Sequence, residues 1–255
     1  MTHSTEVSVD QHNIEIMRNR EAWMRKPVLR VVYRELYDRI AVRLDRKLEG
    51  AIVEIGSGMG TIKEAIPECI TTDLFPNPWL DRQENIYRLN FSDSSVSNLI
   101  LFDVWHHLRY PGTALRECER VLVPGGRVII MDPAASLAGR IVYGLFHHEP
   151  VGMGTPLTWH APVNFQPGDT DYFAAQGMAS RVFWWGEGRE YLARWKVIET
   201  TPFAGFSYFA TGGFSGPSLI SKRWLPIFSA LDRLGSKLPK LFAARLLVIL
   251  QKKDL

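Results

Sequence analysis

The chain has 255 residues, 46% of them apolar, enough for one large α/β domain with elaborations or for two small ones, and too many for global disorder. The net charge of +3 is uneven: residues 17–47 carry ten Lys/Arg against four Asp/Glu, and residues 218–255 carry eight against two. Cys69 and Cys118 stand far apart without metal-ligand spacing, which predicts no disulfide, no zinc site and a reducing, cytoplasmic setting; the opening Met-Thr-His-Ser-Thr-Glu predicts no secretory leader, and no apolar run is long enough to span a bilayer.

Residues 1–12 are polar and predict a loose lead-in. Pro27 suits the first turn of a helix. Residues 27–48 then place Leu29, Val32, Tyr33, Leu36, Ile40, Ala41 and Leu44 at helical spacing, so 1–48 reads as a helical N-terminal extension with solvated arginines. Ala51 to Ile55 form an apolar run with one acid, Glu54, as a buried parallel strand would. Gly56, Gly58 and Gly60 follow at alternate positions. A turn without Cβ atoms can be tight and lets a ligand lie against bare backbone. A short helix over 61–66 is closed by Pro67. The second strand, 69–72, ends at Asp73, 17 residues beyond Gly56. An acid there can accept both hydrogen bonds of a ribose diol. Residues 79–86 read as a third strand. The fourth, 98–102, ends at Asp103 and runs into Trp105-His106-His107. An amphipathic helix over 111–121, a turn at 123–126 and a fifth strand over 127–131 follow, the last ending at Asp132-Pro133.

Beyond this point the pattern changes. Residues 136–148 predict a helix ended by His147-His148-Glu149-Pro150. The histidines suit a helix C-terminus; a neutral pair could instead serve as a base, and no zinc signature surrounds them. Residues 151–187 are rich in Gly, Pro, Trp and Phe without periodicity, as in a lid or binding loop. Their aromatics fit a satellite core equally well. Residues 195–200 read as a sixth strand, and 206–214 as an aromatic return toward the pocket. Residues 218–234 carry Ile220, Trp224, Ile227, Phe228, Leu231 and Leu234 at helical spacing, broken at Pro226 and stopped by Gly235. Such a stripe is expected to bury itself on its own domain. The alternative is peripheral membrane contact through 218–240, because Lys222, Arg223, Arg233, Lys237 and Lys240 flank it. Residues 246–250 read as a last, antiparallel strand.

Taken in order, Glu54-x-Gly56-x-Gly58-x-Gly60, Asp73, His106-His107 and Leu122-Val-Pro-Gly-Gly126 resemble the class I S-adenosylmethionine-dependent methyltransferases of the small-molecule type 11 kind, over residues 50–133. The resemblance implies a doubly wound, Rossmann-like α/β sheet of seven strands in the order 3-2-1-4-5-7-6, the last antiparallel. The domain would span 49–255, with 134–195 and 206–240 covering the acceptor. It also implies S-adenosyl-L-methionine across the ends of strands 1, 2 and 4. Gly56, Ser57 and Gly58 would face its methionine part, Gly60 would complete the bend, and Asp73 with Leu74 would meet the ribose. Asp103 would lie near the methionine end. Asn85-Ile86 stand where the family has Asp-Ala at the adenine, and Asn can both accept and donate there.

A dinucleotide would want GxGxxG and a helix N-terminus at its pyrophosphate. A sulfonium and an ammonium instead suit carboxylates such as Glu54 and Asp103. The implied reaction is methyl transfer to oxygen or nitrogen of a small-molecule, glycan or lipid-linked acceptor, without a metal. His106, His107 and His148 are the candidate bases. A non-catalytic module that binds this cofactor or a nucleoside is the reading from another class. Nucleic acid is disfavoured as substrate, since no Asn-Pro-Pro-Tyr-type motif follows the fourth strand. Acceptor identity and oligomeric state stay open.

Overall fold

The computed structural model describes residues 9–168 and 172–253. Ala51–Ile55 (β1) lies inside a seven-stranded sheet with Ile70–Asp73 (β2), Arg82–Gln83 (β3), Val96–Phe102 (β4), Leu122–Pro133 (β5), Trp195–Ala204 (β6) and Ala243–Lys252 (β7). The order is β3-β2-β1-β4-β5-β7-β6, as the sequence predicts. Strands β1 to β5 pair in parallel, and β7 is slotted antiparallel between β5 and β6. Every residue of β4 is buried, which is why that strand reads as a nearly continuous apolar run.

Two strands depart from expectation. The third is only Arg82–Gln83, both exposed at the sheet edge, because 79–86 offers no alternating apolar face to bury. The fifth begins at Leu122, since Pro124-Gly125 bends the strand instead of ending a separate turn; Gly125 has φ 72°.

The helices are Val9–Arg25 (α1), Pro27–Ala41 (α2), Pro111–Val121 (α3), Leu137–Phe146 (α4), Phe206–Ala210 (α5), Leu225–Gly235 (α6) and Pro239–Phe242 (α7). The loose lead-in expected over 1–12 is helical from Val9; residues 1–8 lie outside the described residues. Helix α2 buries Leu29, Tyr33, Leu36, Tyr37 and Ile40 against the sheet. The Tyr33 and Tyr37 rings stand 5.5 and 5.2 Å from that of Phe102. Each such apolar side chain contributes about 1.5–3 kcal/mol of gross burial energy. Ser136 starts α4: its Oγ accepts the Gly139 N–H at 3.0 Å and donates to the Ala243 carbonyl at 2.6 Å, pinning the helix to β7.

The stripe on 218–234 does not bury itself. Pro226 sits in the first turn of α6 rather than breaking it. Only Leu225 and Gly235 of that helix are buried, while Ile227, Leu231 and Leu234 are exposed. Helix α7 packs against both α6 and α4 and leaves Leu241 exposed, as α4 leaves Leu137, Ile141, Leu145 and Phe146. The three neighbouring helices α4, α6 and α7 thus each leave apolar side chains exposed. No helix among the described residues is long and apolar enough to cross a membrane.

Glu54 points into the sheet's interior and is 2% exposed, and its Oε2 has no hydrogen-bond partner among the described residues. Burial, with the nearby Asp73 adding to it and a Ser57 hydrogen bond opposing, pushes its carboxyl up to about 8. Between the ordinary value of 4.5 and that one, the folded chain keeps a proton that the unfolded chain has lost, so stability falls as pH rises across this window and levels off above it. Glu54→Gln removes this contribution. Melting temperatures of the two proteins at pH 5 and pH 8 should show wild type losing more on going to pH 8 than the variant does; parallel losses would place that proton elsewhere.

Candidate active site

The three alternate glycines all adopt left-handed backbone, with φ of 72°, 54° and 66° at Gly56, Gly58 and Gly60. Two of them also lack room for a side chain. A Cβ on Gly56 would lie 2.4 Å from Val104 Cγ2, and one on Gly60 would lie 2.8 Å from the Trp79 carbonyl oxygen. The bend is laced to β2: the Ser57 N–H donates to the Thr72 carbonyl at 2.8 Å, and the Thr72 N–H donates to Ser57 Oγ at 3.0 Å. Asp73 points at the bend. Its Oδ2 accepts the Gly58 N–H at 2.9 Å and its Oδ1 accepts the Leu74 N–H at 2.7 Å. Helix α1 lies over this place, with Ile16 Cδ1 3.5 Å from where a Gly58 Cβ would stand and the Arg20 guanidinium 4.4 Å above the Trp79 ring.

Four residues expected at the cofactor make contacts within the chain. Asn85 donates to the Pro167 carbonyl at 2.7 Å and accepts the Tyr87 N–H at 2.9 Å. Its amide thus ties the insert to the end of β3, and Ile86 joins the core. Glu54 is an interior, proton-holding carboxyl instead of a rim charge. Asp103 adopts φ 56°, a conformation that costs a non-glycine residue energy. Its carboxylate pairs with Arg245 of β7, a guanidinium 1% exposed that also stands 4.1 Å from the Tyr208 ring. Sequence reasoning passed over Arg245. The signal was a lone cation inside Ala243-Ala-Arg-Leu-Leu-Val-Ile-Leu250, a run otherwise fit for a buried strand.

A second cluster forms where β4 and β5 end. One helical turn, Trp105–His107, follows β4. His106 Nδ1 lies 2.9 Å from Asp132 Oδ1, and its Nε2 lies 3.4 Å from Glu149 Oε2. His107 Nδ1 lies 2.9 Å from the Phe173 carbonyl, and its Nε2 3.5 Å from Glu149 Oε1. Tyr172 donates to Glu149 Oε1 at 2.6 Å and the Gln176 amide donates to Oε2. Burial disfavours charge on His106, but Asp132 and Glu149 outweigh it and raise the imidazole to about 10. His107 is pushed down to about 4 by burial and by the neighbouring His106 charge. Burial works to raise Glu149, yet His106, His107 and Tyr172 hold it well below the usual carboxylate range. Burial raises Asp132 against the pull of His106.

Of the three histidines expected as bases, the structure brings His106 and His107 together. His148 stays at the rim, its side chain 69% exposed and its Nε2 3.9 Å from Glu149 Oε1. Helix α4 stops at Phe146, and the His147 N–H donates to the Tyr143 carbonyl at 3.2 Å. Glu149 therefore turns inward to the sheet. Its place in this cluster, with Tyr172 and Gln176, was not legible, because it joins residues about 40 positions apart. The aromatics of the insert divide: Trp159 and Phe183 pack on Trp105 as core, whereas Tyr172 and Trp185 are exposed. The 206–214 return brings Tyr208 beside Arg245 but packs Phe214 on Trp23 and Tyr33.

Residues 53–130 match the family model described as a methyltransferase domain. No curated protein matches the chain. Among solved structures, a chain from the complex of the Haloferax volcanii Trm112 methyltransferase activator with a protein described as a methyltransferase is 14% identical, with 97% of this chain and 99% of that one covered and a TM-score of 0.54. The [4+2]-cyclase SpnF is 14% identical over 86% of this chain and 80% of its own, with a TM-score of 0.51. A S-adenosylmethionine-dependent methyltransferase from Thermotoga maritima is 16% identical over 99% of each chain, at 0.48. The first two likenesses show the fold. The chain thus carries a methyltransferase-domain match from the opening strand to the fifth, on a sheet of the order that S-adenosylmethionine-dependent methyltransferases of this resemblance have.

Proposed function

We propose that this enzyme methylates an oxygen or nitrogen of a small-molecule, glycan or lipid-linked acceptor, held between the ends of β4 and β5 and the insert that carries Glu149 and Tyr172. The observation that carries this reading is the inward turn of Glu149 onto His106 and His107, beside Asp103. The residues present fit the cofactor. The bend offers backbone without Cβ atoms, the Asp73 carboxylate is aimed at it, and Glu54 Oε2 is a buried oxygen with no hydrogen-bond partner among the described residues. Gly56, Ser57, Gly58 and Gly60 would cradle the amino-acid end, and Asp73, with Leu74 behind it, would hold the ribose. When bound, the cofactor supplies a methyl group activated by its sulfonium. The chain's task is then to place the acceptor atom in line and keep water out; α1 and the insert support that second role by their positions.

Among the histidines, geometry favours His107 as the proton acceptor. Its Nδ1–H is directed to the Phe173 carbonyl, so the lone pair lies on Nε2. His106 has its Nδ1 committed to Asp132 at 2.9 Å and is buried, so it is less accessible to an acceptor than the half-buried His107. Asp132 and Glu149 then orient the pair. A non-catalytic module remains the alternative, and the [4+2]-cyclase of similar fold illustrates why fold alone does not choose the chemistry.

A second reading concerns where the acceptor resides. The exposed Trp224, Ile227, Leu231, Leu234 and Leu241 stand among exposed Lys222, Arg223, Arg233, Lys237 and Lys240. The acid among them, Asp232, is occupied by Ser207 and the Phe206 N–H. An apolar face with a cationic border supports contact with an anionic membrane, and so a lipid-linked acceptor.

Calorimetry should show S-adenosylmethionine binding and no NAD binding. Asp73→Ala should weaken the former by at least ~30-fold, since two charge-assisted hydrogen bonds to the ribose are lost; an unchanged affinity would remove Asp73 from the cofactor site. Sedimentation with anionic phospholipid vesicles at low salt should carry the protein down, less so as salt rises, and Trp224→Glu with Ile227→Glu should release it. Protein left in the supernatant at low salt would end the membrane reading.

A further inference from the structure

His106, His107 and Glu149 have the arrangement of a metal-binding triad. Their ligand atoms all lie within 4.8 Å of one another. The two imidazole-to-carboxylate separations, 3.4 and 3.5 Å, are longer than a good N–H···O hydrogen bond, which spans about 2.7–3.2 Å. They match instead the spacing of two atoms on one ion: ligands about 2.1 Å from a tetrahedral centre stand about 3.4 Å apart.

The far side of each ligand supplies an independent observation. A metal-bound histidine directs its other ring N–H to a carboxylate or a backbone carbonyl, which fixes the tautomer and turns the remaining lone pair to the ion. Both histidines do this here. His106 Nδ1 meets Asp132 and His107 Nδ1 meets the Phe173 carbonyl, each at 2.9 Å. A ligating carboxylate is in turn held by hydrogen bonds, and Glu149 receives them from Tyr172 and Gln176. Asp132 and Gln176 are buried and Glu149 nearly so, so these supports are not solvent-borne coincidences. The ligands come from the turn after β4 and the loop after α4, which is why no spacing along the chain announced them and why the sequence predicts no metal.

We propose that His106 Nε2, His107 Nε2 and the Glu149 carboxylate bind one divalent first-row transition ion, with positions left for the acceptor's oxygen or for water. Two imidazoles and one carboxylate suit zinc, manganese, iron or cobalt in preference to magnesium or calcium. The ion would grip the acceptor and acidify its hydroxyl, whose proton would pass to solvent water, so that the alkoxide oxygen takes the methyl group as the carbon–sulfur bond breaks; the ion thereby takes over the part given above to the His107 lone pair. The inference rests on the reading of this cluster as the acceptor side of the site.

The test uses the full chain, dialysed against chelator and titrated with Co²⁺. Wild type should take up one equivalent saturably, with visible absorption bands from an ion bound by nitrogen. His107→Ala and Glu149→Gln should each weaken Co²⁺ binding at least ~10-fold, and His160→Ala, at an exposed histidine outside the cluster, should bind as wild type does. S-adenosylmethionine titration of each variant reports whether the domain is folded. Absence of saturable Co²⁺ binding by wild type, or binding that survives intact in both ligand variants, overturns the metal and leaves the base reading standing. Co²⁺ binding together with an Asp73→Ala variant of undiminished S-adenosylmethionine affinity would do the reverse: the ion stays and the proposed cofactor contact falls.

Discussion

The insert between β5 and β6 is stitched to the turn after β4 by main chain. The Ala175 N–H donates to the His106 carbonyl at 2.9 Å, and the Phe173 carbonyl meets His107 Nδ1 at 2.9 Å. The Gln176 and Gly177 N–H groups reach the Pro150 and Val151 carbonyls at 3.1 and 2.7 Å. Those bonds fix Glu149, Tyr172 and Gln176 over the sheet edge at one stroke. A long loop over a site is costly to order by side chains alone; here backbone pairing does the ordering, and the side chains are left to the chemistry. The geometry of the histidine cluster depends on that seam.

The parallel strands explain why the seam lies where it does. Strands β1, β4 and β5 run the same way, so the glycine bend, Asp103 with its two histidines, and Asp132 all emerge at one edge. The packing is close: Val104 fills the space that a side chain on Gly56 would need. A change in the turn that carries His106 and His107 is therefore felt in the glycine bend, and the two are mechanically one piece.

This also explains what could be read in advance. The left-handed bend at Gly56, Gly58 and Gly60 and the placement of Asp73 beside it were legible because they are set by backbone conformation and by strand ends, which are local properties. The strand order was legible through the family likeness. The third strand was overestimated at 79–86, because apolar periodicity is thin there and only Arg82–Gln83 pairs into the sheet. The α6 stripe was misjudged for a different reason: a helical repeat says which face is apolar but not what covers it. Glu149 was seen only as a neighbour of His147 and His148, since contact across the fold leaves no trace in spacing.

The charge pattern at the cofactor edge differs from the one that residue types alone suggest. A rim of two bare carboxylates would attract a cation strongly and would also repel itself. In the folded chain Asp103 is already matched by Arg245, and Glu54 keeps its proton through burial. Neither is then a standing negative charge before a cation arrives. A positively charged ligand settling beside Glu54 would lower the cost of ionising it, so the carboxyl can give up its proton when its charge becomes useful. Such a site need not hold repelling carboxylates apart while empty. The arrangement places the cost of burying a charge in the bound state, where an opposite charge offsets it, and leaves Asp73, steadied by two backbone N–H groups, as the fixed carboxylate on which the proposed cofactor orientation depends.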